Sequence, residues 1–327
     1  MTSLKSWFWA MAAALAATAL TAAGPAGAQT WPDKPVRIIV AFVPGGLIDT
    51  FARTLQPRLA EGLGQPVIIE NRGGAGGTLA ESMLAKSAPD GYSMMVSADS
   101  PPANPHLFRN LNYDFFRDLL PVSMLTRVPF ALIVHPSVPA NSLAEFVAYV
   151  RSRQGQFSYA SPGTGTGNHL FMELFKGRAG IEMTHVPYKG GGPAMNDLIG
   201  GQVQASLISI TLAAPQVRAG KVRAVGVTSE KRAPLLPQVQ TFVEAGYGDF
   251  TPHTWCGLFV PAGTPTAIVQ RLHAEFAKAV RAPEVQARFQ DLGAETVMNS
   301  PAEFTAFLRS ETERLGALIR ERKIAAD

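Results

Sequence analysis

Two glycine-bearing stretches have the residue types and spacing to hold a negatively charged group. Residues 40–53 read VAFVPGGLIDTFAR: an apolar run enters Pro44-Gly45-Gly46 and leaves in a pattern of helical spacing that begins near Asp49. A strand that turns through glycine into a helix leaves backbone N–H groups without partners, and the helix dipole adds partial positive charge at that point. The chemistry on offer is anion binding by the main chain. Residues 161–169, Ser-Pro-Gly-Thr-Gly-Thr-Gly-Asn-His, repeat the arrangement, and Asn71 to Gly77 form a third glycine-rich turn. One such turn is also what any plain strand-to-helix connection needs, so the case rests on two of them facing each other.

Other chemistries fit the same residues less well. A dinucleotide fingerprint would need glycine at Asn168 to follow Gly163 and Gly165, or at Leu79 to follow Gly74 and Gly76. Gly220-Lys221 is followed by Val222 rather than by the hydroxyl residue of a phosphate-binding loop. The six histidines show no paired ligand spacing, and His169 with Glu173 would supply only two of the three or more ligands a metal site needs. No Gly-x-Ser-x-Gly elbow is present, and the single cysteine, Cys256, sits beside Trp255 in an apolar strand, where a packed core thiol is expected. Asp49 could serve as a general base, but at a helix start its expected work is capping or dipole stabilisation. The expectation is a protein with no catalytic residue, metal or cofactor.

The whole chain narrows the class further. Lys5 precedes an alanine-rich apolar run from Trp7 to Ala23, followed by Ala26-Gly27-Ala28, which reads as a secretory signal peptide over residues 1–28 and places the mature protein in the periplasm. The same run approaches the ~17 residues of a marginal spanning helix, so an uncleaved anchor is the competing reading. The formal net charge is +4 with Lys and Arg scattered, which argues against nucleic acid and suits either a small anionic solute or an ordinary surface. After cleavage roughly 300 residues remain, enough for two domains of about 150.

The elements that must position the turns alternate along the chain. Strand-like Val36–Phe42, Val67–Glu70 and Tyr92–Ala98 alternate with helix-like Asp49–Glu61 and Thr78–Lys86, which predicts a mainly parallel sheet covered by helices. Ser142-Leu143-Ala144-Glu145 is a capping-box pattern opening a helix to about Arg153, and a second alternating series runs from there to about Thr251. It holds strands near Phe157–Ala160, Met183–Val186, Val203–Ile208 and Val222–Val227, with helices from Asn168 and over Pro193–Ile199. The remainder carries a strand at Trp255–Val260 and three amphipathic helices, the last opened by Ser300-Pro301-Ala302-Glu303. Those helices need a sheet to cover, and the N-terminal one is nearest. The expected division is a first domain of residues 29–130 plus 252–327 and a second of residues 131–251. In open α/β sheets ligands bind beyond the carboxyl ends of the strands, so the turns after Phe42 and Ala160 are expected to face one another across a cleft.

Over essentially the whole mature length the chain resembles the extracytoplasmic solute-binding proteins of tripartite tricarboxylate transporters, the Bug receptors. The resemblance is carried by Trp31-Pro-Asp-Lys-Pro-Val-Arg37, Phe42-Val-Pro-Gly-Gly-Leu-Ile-Asp49 with Ala52-Arg53, Gly64-Gln-Pro-Val67, Glu70-Asn-Arg-Gly-Gly-Ala-Gly-Gly77 and Ala88-Pro-Asp-Gly-Tyr92. His185-Val-Pro-Tyr-Lys-Gly190, Asp197-Leu-Ile-Gly-Gly-Gln-Val203 and Trp255-Cys-Gly-Leu-Phe-Val-Pro-Ala-Gly-Thr-Pro265 complete it, in the family's order.

The resemblance implies a type II periplasmic-binding-protein fold, two α/β domains joined by two crossings with a carboxylated solute in the cleft. It implies a ligand site from Val43, Pro44, Gly45, Gly46, Leu47, Ile48 and Asp49 on one side. Gly163, Thr164, Gly165, Thr166, Gly167, Asn168 and His169 stand on the other, joined by Ser97, Ala98, Lys189, Gly190, Ile208 and Ser209. Many relatives carry small or hydroxylated residues at positions 47 and 48 and polar ones near Gln204, Ile208 and Ser209. Leu47, Ile48 and Ile208 therefore predict a more apolar cleft that favours an aromatic or otherwise apolar carboxylate and disfavours an amino acid, unless these side chains point into the core. The function implied is a monomeric receptor presenting a small organic carboxylate to membrane transporter subunits. A receptor signalling to a sensor kinase is the alternative, and an enzyme the third reading.

Overall fold

Val36–Val40 (β1) is apolar and buried except at the half-buried Arg37, and in the computed structural model it pairs in parallel with Val67–Asn71 (β2) and Ser93–Ser97 (β3). The structure describes residues 31–153 and 155–325; the expected signal peptide lies outside them. Leu47–Leu63 (α1) covers this sheet because Ile48, Phe51, Ala52, Leu55 and Leu59 recur at helical spacing and are buried, and it stops at Gly64 in the left-handed region. Thr78–Ala85 (α2) follows a 3-10 turn at Ala75–Gly77, and Asn104–Leu107 (α3) and Phe115–Asp118 (α4) are single turns.

Leu119–Val134 (β4) is the element on which the topology depends. Its first part, Leu119 to Pro129, pairs antiparallel with His253–Pro261 (β9), which in turn pairs antiparallel with β3. Its last part, Phe130 to Val134, pairs antiparallel with Ala205–Ser209 (β7) and with Arg223–Val227 (β8). Beyond β7, Ser158–Ser161 (β5) pairs in parallel with β7 and with Thr184–Pro187 (β6), and the path through the sheet is β2-β1-β3-β9-β4-β7-β5-β6. The sheet is thus mixed rather than mainly parallel: β4 and β9 run against their neighbours. No strand was expected at Leu119–Val134, because Pro121 and Pro129 each lack a ladder donor and register shifts follow Pro121 and Met124.

Leu143–Arg151 (α5), Gly167–Ala179 (α6), Gly191–Ile199 (α7) and Ile210–Arg218 (α8) cover the second half. The helix α8 follows β7 with no turn residue between them, which hid it from pattern reading. Thr266–Arg281 (α9) and Pro283–Asp291 (α10) pack on α1, and Glu295–Thr296 (β10) pairs with β4. Pro301–Arg322 (α11) opens with the expected capping box at Ser300 and Glu303. Its first turns bury Phe304 and Leu308 among Trp255 and Phe259, while Leu315, Leu318 and Ile319 bury among Phe171, Phe175 and Phe242 of the second half. A helix therefore straps the two halves together alongside the two backbone crossings. Among the described residues no helix is long and apolar enough to cross a membrane.

The crossings meet at Thr228, 1% exposed. Phe130 N–H donates to its hydroxyl at 2.8 Å, the hydroxyl donates to the Pro252 carbonyl at 2.6 Å, and Thr228 N–H donates to the Phe130 carbonyl at 2.9 Å. One side chain ties the outgoing strand to the returning segment. Thr228→Val should strand a buried donor and acceptor at a cost of about 1–3 kcal/mol in urea unfolding, and Thr228→Ser should recover most of it. Equal stability of the valine variant and the wild type would show that the tie contributes nothing.

Candidate ligand-binding site

Strand direction decides where the turns meet. The strands β1, β2, β3 and β4 point the same way in the first half, since β9 is antiparallel to both β3 and β4; in the second half β5, β6 and β7 run against β4. The carboxyl ends of both sets therefore point toward the junction at Pro129 and Phe130, where Pro129 pairs with His253 and Phe130 with Ser209. The turns after β1, β3, β5, β6 and β7 converge on this line.

The two turns are the same device built from different residues. Gly45 and Gly165 both sit at φ +79°, a backbone conformation that favours glycine. Gly46 N–H leans on the Val43 carbonyl at 3.4 Å as Thr166 N–H does on Gly163 at 3.3 Å, and the first helical bonds run from Thr50 to Gly46 and from Leu170 to Thr166. Each turn is then held by the third residue of its helix. Gly45 N–H donates to Asp49 Oδ2 at 2.8 Å, and Gly165 N–H donates to His169 Nδ1 at 3.1 Å. Asp49 thus takes the Gly45 N–H, as a capping residue would. Among the described residues no hydrogen-bond partner is found for the N–H groups of Leu47, Ile48 and Asp49 on α1, or of Gly167, Asn168 and His169 on α6.

The electrostatics keep both capping groups in the form the turn requires. Burial works to raise the Asp49 carboxyl, but bonds from Arg53 (3.0 Å), Gly45 N–H and Asn71 (2.9 Å) outweigh it and hold the group below its ordinary value. His169 is pushed down to about 4 by burial, with Lys176 adding to the effect, so its Nδ1 stays free to accept. It stacks on His185 with ring centroids 3.7 Å apart, and His185, lowered by burial to about 3, meets Ser161 Oγ at 2.7 Å. Glu173, the other half of the suggestive histidine spacing, is engaged with Tyr159 at 2.6 Å and Lys176 at 2.7 Å. Among the described residues no group of three His, Cys, Asp or Glu is placed to hold a metal ion.

The remaining expected site residues divide. Val43 is 66% exposed, Pro44 and Gly45 are open, and Lys189 stands exposed beside Gly190, whose N–H bonds the Pro162 carbonyl at 3.0 Å. Gly163 and Thr164 are half-buried, and Asn168 donates its side chain to the Leu207 carbonyl at 2.8 Å. Ser97 is fully buried with an unpartnered hydroxyl, Ala98 lies in the core, and Ser209 precedes α8. The expectation that Ile48 and Ile208 line the cleft is corrected: both lie in the main core, Ile48 as the first residue of the α1 stripe and Ile208 in a strand covered on both faces. Leu47 is partly buried against the same core. The apolar side chains that do reach the surface at the converging edge are Val43, Leu79 and Leu212, of which only Val43 carried a signal in sequence. Leu79 reaches Gly74 and Leu212 reaches Gly191, both in glycine turns of that edge.

The imidazole pair generates a pH prediction. The unfolded chain protonates these histidines near 6.5, whereas in the folded protein His169 resists until about 4 and His185 until about 3, so no stability is lost to them above pH 6.5 and it falls as pH drops from there. His169→Asn should flatten the fall in melting temperature between pH 7 and pH 4 relative to the wild type; parallel curves would show that the buried pair does not govern it.

The sequence profile described as "Tripartite tricarboxylate transporter family receptor" matches residues 51–324. Protein BugT of Bordetella pertussis is 36% identical over 301 residues, 91% of this chain and 92% of that protein. Among solved structures, R. palustris Rpa4515 with adipate superposes with a TM-score of 0.82 at 34% identity, covering 90% of this chain and 99% of that one. MatC from Rhodopseudomonas palustris with bound malate gives 0.79 at 35% identity, covering 88% and 100%. With this agreement along the chain and across an α/β periplasmic-binding-protein fold, the protein belongs to the receptor family of the tripartite tricarboxylate transporters.

Proposed function

We propose that this receptor captures a small organic carboxylate with an apolar body in the periplasm, between domains 29–130 plus 252–327 and 131–251, and hands it to the membrane subunits of a tripartite tricarboxylate-type transporter without altering it. The observation that carries the reading is the open mouth of the first turn. A side chain built on Gly45 would meet nothing within 4 Å, and three helix N–H groups stand unpartnered behind it. A carboxylate is the right size and sign for such a site. Relatives solved with adipate and malate show the class of solute the family's fold accommodates.

Val43, Leu79 and Leu212 supply the preference for an apolar body. Burying one such side chain against the ligand is worth roughly 1.5–3 kcal/mol, which is tenfold or more in affinity. Calorimetry with benzoate, adipate and citrate should rank citrate last, the ligand being recovered unchanged. Tight citrate binding with no response to apolar acids would sink the preference, and new products would sink the receptor reading. Gly45→Val should abolish the ligand-induced rise in melting temperature, which at a hundredfold excess over Kd corresponds to about 2.7 kcal/mol. An undiminished rise in a folded variant would remove the first turn from the site.

A further inference from the structure

The twin turns differ in what stands before them. The first is open, whereas the second is closed off by residues of the first half: a side chain on Gly165 would come within 2.4 Å of Leu107, and one on Gly167 within 1.7 Å of Asp99 Oδ2. Asp99 follows β3, one of the converging strands, and its carboxylate rests against the first residue of α6. Oδ1 accepts from Thr254 Oγ1 at 3.2 Å, while Oδ2 is shielded from solvent and has no partner. A negative charge already occupies the positive end of the helix that would otherwise receive a second ligand carboxylate.

We propose that Asp99 is a specificity residue that restricts this receptor to solutes with a single carboxylate. The proposal rests on the binding reading above and deepens it. The ligand's one carboxylate takes the N–H groups of α1, and its apolar body extends past Val43 and Leu212. A second carboxylate reaching toward α6 would meet Asp99 with little water between them, where like charges repel strongly. Among the described residues no ion pair is formed by Asp99; the Arg314 guanidinium on α11 is engaged by Glu311 at 2.7 Å instead. Glu311 of α11 raises the Asp99 carboxyl further, to about 6 with burial as the larger cause, and His169 on α6 and His253 on β9 are both held neutral by burial. Asp99 is therefore ionised at pH 7 and above, and the exclusion weakens as pH falls toward 6. Gly167 completes the device, since any side chain there would displace the carboxylate.

Hexanoate and adipate share a six-carbon chain and differ in one terminal carboxylate, so titration calorimetry with this pair isolates the charge. At pH 8 the wild type should bind hexanoate at least tenfold more tightly than adipate. Asp99→Asn, which keeps the shape, should raise adipate affinity at least tenfold and leave hexanoate within about twofold, and Asp99→Ser should do the same should the amide misfold. Adipate affinity of the wild type should rise between pH 8 and pH 6, and that of Asp99→Asn should not. Adipate bound by the wild type as tightly as by Asp99→Asn would overturn the proposal while leaving the receptor reading intact. Binding of neither acid, nor of benzoate or citrate, would overturn both.

Discussion

A single strand that runs through both halves of the sheet sets the line on which the glycine turns meet. Because β4 passes from one half into the other without a break, the strands parallel to it in the first half and antiparallel to it in the second must end along a common line. Loops that are remote in sequence are brought together there by direction alone. Thr228 fixes the return crossing against the outgoing one, and α11 spans both halves with separate apolar clusters at its two ends. The junction is therefore held on several sides while the turns at its mouth stay free of secondary-structure bonding.

At that line the same turn occurs twice, and the two copies differ in the group that caps them and in what stands before them. In each, a left-handed glycine is capped by the third residue of the helix, leaving the first helical N–H groups unpaired. Asp49 does this as a carboxylate compensated by Arg53 and Asn71, and His169 does it as a neutral imidazole stacked in a buried polar cluster. The carboxylate cap lies under the open turn, and the neutral cap under the turn that Asp99 covers. Capping is thus done by side chains, which leaves main-chain donors for the carboxylate in the proposed function.

Local signals made much of this legible before any coordinates. Pro44-Gly45-Gly46 between an apolar run and a helical pattern marks the turn, and Ser300 with Glu303 marks a helix start, because in both cases the physics is confined to a few neighbouring residues. The strand β4 was hidden because Pro121 and Pro129 lower the local preference for a strand, and only pairing with β9 and β7 overrides it. Whether Ile48 and Ile208 faced solute or core depended on which way a helix start and a doubly covered strand were rotated, and spacing alone does not fix that. Asp99 gave no signal at all, since its meaning comes from contact with Gly167 on a distant helix.

In the proposed function, main-chain donors at the start of α1 hold the ligand carboxylate. A crystal structure of the receptor with hexanoate tests it most directly. The account predicts carboxylate oxygens within hydrogen-bonding distance, about 3 Å, of the N–H groups of Leu47, Ile48 and Asp49, with the alkyl chain beside Val43. A carboxylate seated elsewhere would contradict it, for example in the roughly 900 Å³ groove lined by Arg127, Ser229 and Lys231 on the edge of β4.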